Sequence, residues 1–103
     1  MNLTQEDWIS QLKADTNAVI LDVRTDDECN EGIIENAITI DIHQGQGFIT
    51  AIEQLDKTKN YYVYCRSGAR SAKACELLNE IGIDNAYNLT GGMLAWEGDV
   101  VNP

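Results

Sequence analysis

The chain has 103 residues, 44% of them hydrophobic, and carries 17 acidic against 7 basic side chains for a net charge of −10. That balance excludes nucleic acid and anionic membrane surfaces as expected partners, and the length favours one domain spanning 1–103 with a core large enough to fold without staples. No apolar run approaches the ~20 residues of a membrane span, and the opening MNLTQEDW lacks the basic and apolar segments of an export signal, so the cytoplasm is the expected location.

Thr4 is placed to cap a first helix, with Asp7 three positions on and Leu3 set to staple onto Trp8. Trp8, Ile9 and Leu12 give that helix one apolar face. AVILDV (18–23) is an apolar run of strand length. TDDECNEG (25–32) is polar and acidic, one helical turn ended by Gly32, and AITI (37–40) reads as a second strand. FITAIEQL (48–55) places Phe48, Ile49, Ile52 and Leu55 at helical spacing. YYVYC (61–65), aromatic and β-branched without clean alternation, reads as a third strand buried on both faces of a parallel sheet. A helix then runs to about Ile81 with Ala74, Leu77, Leu78 and Ile81 as its core stripe, and Gly82 ends it. NAYNL (85–89) is a fourth short strand, and GGMLAW (91–96) a glycine-led turn into a last helix. Strands alternating with helices define an α/β fold with a mainly parallel sheet.

The charge is unevenly distributed. From Lys57 to Cys75 the chain holds five of its seven cations (Lys57, Lys59, Arg66, Arg70 and Lys73) and no acid. Cys65 stands at the carboxyl end of the third strand in this stretch, where ligands of open α/β sheets bind. The loop Arg66-Ser67-Gly68-Ala69-Arg70-Ser71 contains no proline, so every residue keeps its amide N–H, and Gly68 relaxes a tight curve. Curled around the sulfur at a helix N-terminus, those amides form an anion-binding nest. An ordinary cysteine is only ~3% ionised at neutral pH, whereas a pKa of about 6 to 7 in such a setting makes half or more of it thiolate.

The other chemistry-bearing residues read as structural. Cys75 lies mid-helix as a small buried hydrophobe, and Cys29 sits among Asp26, Asp27, Glu28 and Glu31, whose field opposes a thiolate. Three cysteines without paired spacing do not make a disulfide framework, and no Cys/His cluster points to a metal or other cofactor. His43, the one histidine, has no partner nearby in sequence; GQG (45–47) and GG (91–92) read as turns.

LDVRTDDECNEGIIENAITI, YYVYCRSGARSAKACELLNEIG and NLTGGMLAW, in that order, resemble single-domain rhodanese-like proteins over nearly the whole chain. The resemblance implies a three-layer α/β/α fold around a five-stranded, mainly parallel sheet. It also implies sulfur transfer: the Cys65 thiolate takes the outer sulfur of thiosulfate or another small anionic donor. It holds that sulfur as a persulfide within the amides of Arg66, Ser67, Gly68, Ala69, Arg70 and Ser71, and passes it to cyanide, a small thiol or a thioredoxin-like protein. Arg66 and Arg70 would orient the donor. Asp22 and Arg24 match the family's first-strand motif and read as architectural, with Arg24 expected to pair with Glu28. Where the family usually has Gly-His-Ile, this chain has Gly32-Ile33-Ile34, read as a packing change without loss of chemistry. Two alternatives stand beside the enzyme: a non-catalytic persulfide carrier or regulatory module, and a related cysteine phosphatase or arsenate reductase. Those last relatives space the pair as Cys-x5-Arg; here Cys65 and Arg70 are Cys-x4-Arg, a smaller ring suited to one sulfur atom.

Overall fold

A computed structural model describes all 103 residues, Met1–Pro103. Its elements are β1 (Asn2–Leu3), α1 (Gln5–Ala14), β2 (Ala18–Asp22), α2 (Asp26–Asn30), β3 (Ile38–Thr39), α3 (Gln46–Glu53), β4 (Asn60–Tyr64), α4 (Ala69–Glu80) and β5 (Ala86–Leu89), with short 3-10 turns at Ile42–Gln44 and Gly92–Ala95. The five strands form one sheet in the order β1-β5-β4-β2-β3, and every pairing is parallel.

Period-two alternation splits the central strands between two cores. Leu21, Tyr61, Val63 and Cys65 face a cluster with Phe48 and Ile52 of α3 and Ala74, Cys75 and Leu78 of α4. Tyr62 and Tyr64 face the other way, onto Trp8 of α1, with Ile34, Leu89 and the flank of Trp96. Trp8 meets Tyr62, Tyr64 and Trp96 edge-on at ring-centroid distances of 5.8, 6.4 and 5.9 Å. The sheet thus lies between two helical layers, and all five residues of YYVYC are buried as their composition implies.

Local signals set most element ends. Thr4 Oγ1 accepts the Asp7 amide at 3.2 Å and caps α1. Thr25 and Glu28 close a reciprocal capping box on α2. Helix α4 ends in a Schellman pair, with the Gly82 amide donating to Asn79 and the Ile83 amide to Leu78, both side chains of that second pair lying in the core.

Four elements differ from the sequence reading. Helix α3 starts two residues early, so Gln46 and Gly47 of the expected GQG turn are helical. The fifth strand is β1, two residues that the sequence pattern treats only as the entry to α1. β3 contracts from 37–40 to Ile38–Thr39, both exposed at the sheet edge. GGMLAW forms a 3-10 turn instead of a full helix. No helix is long and apolar enough to cross a membrane.

Candidate functional site

The chain places β3 on one side of β2 and β4 on the other, so the strand order reverses between β2 and β4 while the strands stay parallel. Asp22 and Tyr64 are register partners there, and the loops after them emerge side by side in the crevice where such folds bind ligands.

After β4 the chain curls around the sulfur of Cys65. The Gly68 amide donates to Sγ at 3.1 Å, the Ser71 amide at 3.3 Å and the Ser71 hydroxyl at 3.3 Å. The curl needs Gly68 in a left-handed conformation at φ 101°. It is held from behind by the turn that follows Gly91-Gly92: the Met93 amide donates to the Cys65 carbonyl at 3.0 Å and the Leu94 amide to the Arg66 carbonyl at 2.9 Å. With those carbonyls fixed outward, the loop presents N–H groups to the sulfur. The backing requires glycine at 92, where a Cβ would lie 2.5 Å from both carbonyl oxygens.

Burial pushes the Cys65 thiol up; the Ser71 hydroxyl and the amides of Ser71, Gly68 and Ser67 pull it down, and the donors prevail. The thiol therefore ionises more readily than an ordinary one, although the residue has no exposed surface. Burial is the largest influence on the other two free cysteines, which lack such donors. It drives Cys75 up to about 11 and, with Asp22 close by, Cys29 up to about 12.

Asn88 supports this arrangement and is not among the residues the sequence pattern singles out. Its Nδ2 donates to the Gly68 carbonyl at 3.1 Å and to Asn2 Oδ1 at 2.9 Å, which turns Oδ1 toward the Ser71 hydroxyl as an acceptor, so that the one hydroxyl proton is shared between Asn88 Oδ1 and Cys65 Sγ. The one available signal was a poor strand former in the middle of a buried strand.

The charged residues do not converge as expected. Arg24 pairs with Asp22, not Glu28: Nε lies 3.0 Å from both carboxylate oxygens and Nη2 2.7 Å from Oδ2, all buried. Arg24 reaches Glu28 only at its backbone carbonyl, 3.4 Å away. A carboxylate two residues back in the same buried corner outcompetes one on the partly exposed α2, because a buried guanidinium needs a full counter-charge. The Glu28 carboxylate instead grips Arg70 in a bidentate pair at 2.7 and 2.8 Å. Lys73 lies beside Glu76, and the Lys57 amine donates to the Glu53 carbonyl. Arg66, exposed, is left without an ion pair or side-chain hydrogen bond. A cleft of about 400 Å³ opens beside it, lined by Arg24, Glu28, Glu31, Arg66, Met93 and Leu94.

Ala69 and Arg70 begin α4, and their amides make no hydrogen bond to the sulfur. His43 is exposed near Asp41. Ile33, at the position of the family's histidine, is buried, and its backbone exchanges hydrogen bonds of 2.9 and 2.8 Å with Val101. No group of histidine, cysteine and carboxylate side chains is placed to hold a metal.

This chain matches the family pattern of the Rhodanese-like domain over residues 5–99 and belongs to that family. Among its relatives, YtwF of Bacillus subtilis is 42% identical over 90 residues, covering 86% of this chain and 82% of that one. A protein of Allochromatium vinosum named "Sulfurtransferase" is 36% identical over 97 residues, 93% of this chain and 88% of that one. The crystal structure of a Rhodanese-like domain protein from Staphylococcus aureus superposes with a TM-score of 0.83 at 35% identity, covering 99% of this chain and 97% of that one.

Proposed function

We propose that the chain is a single-domain sulfurtransferase that moves sulfane sulfur from thiosulfate or a persulfide donor to cyanide or a thiol acceptor. Cys65 is the carrier. The observation that supports this most directly is the set of three donors at 3.1 to 3.3 Å from Sγ, since they stabilise a negative sulfur without any base. The thiolate attacks the outer sulfur of the donor, forming a new S–S bond as the donor's own S–S bond breaks. With thiosulfate the leaving group is sulfite. The persulfide's terminal sulfur then occupies the loop from Arg66 to Ser71, and a second nucleophile removes it, regenerating the thiolate in a two-step covalent cycle. Because Cys65 has no exposed surface, loading requires the loop or the turn at 92–95 to shift. Three free cysteines suit a reducing compartment, in keeping with a cytoplasmic protein.

The phosphatase reading is disfavoured by Arg70. Its guanidinium is closed on Glu28 and has no free fork to offer a tetrahedral oxyanion.

The test is intact mass after incubation with thiosulfate. A gain of one sulfur atom, reversed by reductant, is expected in the native chain, Cys29→Ala and Cys75→Ala, and is expected to vanish in Cys65→Ala. Loading that survives in Cys65→Ala and is lost in Cys75→Ala would overturn the assignment. Subsequent turnover with cyanide or a small thiol separates an enzyme from a passive carrier.

A further inference from the structure

We infer that the cleft beside Arg66, the residue after Cys65, selects a small zwitterionic persulfide of the cysteine type over the dianion thiosulfate, with Glu28 and Glu31 as the residues that set this preference. The inference rests on the sulfur-transfer reading above and adds the substrate class.

Count the charges at the mouth by what each has left to offer. Arg24 is spent on Asp22 and Arg70 on Glu28, both through close, multiple contacts. Cys65 and Asp41 also act on Arg70, so this guanidinium faces more than one negative group. Arg66 remains as one cation without a partner, and Glu31, exposed and likewise without an ion pair, remains as one anion on the same cleft. Met93 and Leu94 form the apolar part of the lining, and Leu94 is 67% exposed. One free cation, one free anion and an apolar wall match a carboxylate, an ammonium and a short carbon stem. They do not match a compact dianion: Glu28 lines the cleft while its partner Arg70 does not, so two negative charges would meet the Glu28 and Glu31 carboxylates with only the free Arg66 guanidinium to offset them. Glu28 cannot escape this role by protonation, since Arg70 holds it down at about 2.

The transfer balances with such a donor. The Cys65 thiolate attacks the terminal sulfur of R–S–SH, and the Cys65 S–S bond forms as the donor S–S bond breaks. The proton stays on the transferred sulfur, and the electron pair leaves with R–S⁻. Nothing is oxidised or reduced overall.

The experiment measures the second-order rate of sulfur loading at position 65 by quenched-flow mass spectrometry. Three donors are compared, thiosulfate, cysteine persulfide and N-acetylcysteine persulfide, in the native chain, Glu28→Gln and Glu31→Gln. Glutamine can still close the capping box of α2, and Glu31 is exposed, so the second variant stands even if the first does not fold. In Glu28→Gln the ratio of thiosulfate to cysteine persulfide loading should rise about fivefold, the scale of one unit charge in a partly solvated cleft. In the native chain cysteine persulfide should outpace its N-acetyl form by about threefold, and Glu31→Gln should erase that difference. Ratios that stay constant across all three proteins overturn the inference and leave sulfur transfer intact. Absence of loading in the native chain from every donor instead removes the sulfur-transfer reading itself.

Discussion

Two corners of this sheet, after β2 and after β4, start from neighbouring residues in register and end in helices, yet they treat a buried cysteine in opposite ways. The β2 corner closes on itself. Asp22 saturates Arg24, the Thr25–Glu28 box caps α2, and Cys29, 4% exposed, is left with burial and a nearby carboxylate, which drive its thiol up to about 12. The β4 corner leaves its donors unspent: no side chain caps α4, and two amides with one hydroxyl converge on Cys65 at 0% exposure. Equal burial therefore does not give equal chemistry. Desolvation raises both thiols, and the number of hydrogen-bond donors aimed at the sulfur decides the sign.

The largest way to break this contrast is to open the closed corner. Asp22→Asn leaves Arg24 buried without its counter-charge and should cost about 3 to 5 kcal/mol, read as a fall in the urea midpoint. A loss under ~1 kcal/mol would show that water reaches Arg24 and that the corner is not sealed. Next in size is Gly92→Ala, which strikes the open corner from behind. Its Cβ would meet the Cys65 and Arg66 carbonyls at 2.5 Å and take on a φ of 54°. The variant should lose about 2 to 3 kcal/mol of stability, and its Cys65 thiol should titrate higher because the amides swing off the sulfur. Unfolding and thiolate absorbance measure the two effects separately; a destabilised variant with an unmoved thiol would mean that the backing does not aim the loop.

What could be read from the sequence, and what could not, follows from how local each interaction is. YYVYC, the proline-free loop, α4 and Gly82 are contiguous, and each states its own conformation through composition and spacing. The capping of α1 by Thr4 is equally local. By contrast β1 is a strand only because β5 pairs with it, so two residues, Asn2 and Leu3, carry no signal alone. The pairing of Glu28 with Arg70 spans 42 residues, and no helical spacing foretells it. The sequence reading pairs Arg24 with Glu28, and burial chose Asp22 instead. Asn88 acts through Gly68 and Ser71, contacts that exist only once β5 lies beside β4. The thiol and its loop were legible, whereas the charges around them and the residues that hold the loop were set by tertiary packing.

Removing one donor sharpens the comparison by about a tenfold step in ionisation. Ser71→Ala deletes the hydroxyl at 3.3 Å from Sγ and keeps the amide of the same residue. The Cys65 thiol should rise by about one pKa unit, equivalent to ~1.4 kcal/mol. Thiolate absorbance against pH should show that rise, with Cys29 and Cys75 unmoved. If the curve stays in place, the main-chain amides alone hold the anion.

The smallest expected effect tests the tie between the two corners, since Glu28 caps α2 and grips Arg70 at the start of α4. Arg70 and the Thr25 bonds hold this carboxyl at about 2 against an ordinary value near 4.5. The folded-state pKa is depressed, so the contribution is fully present above pH ~4.5 and is lost as pH falls through about 2. Glu28→Gln keeps the cap and removes the titrating group. Its stability should therefore fall less steeply than that of the native chain between pH 5 and pH 2. The difference should be about 1 kcal/mol, because both partners are a quarter exposed and solvent screens the pair. Urea unfolding at several pH values gives the two slopes. Parallel curves would mean that the pair persists in the unfolded chain or adds nothing in the folded one, and the corners would then be neighbours in space without being coupled in energy.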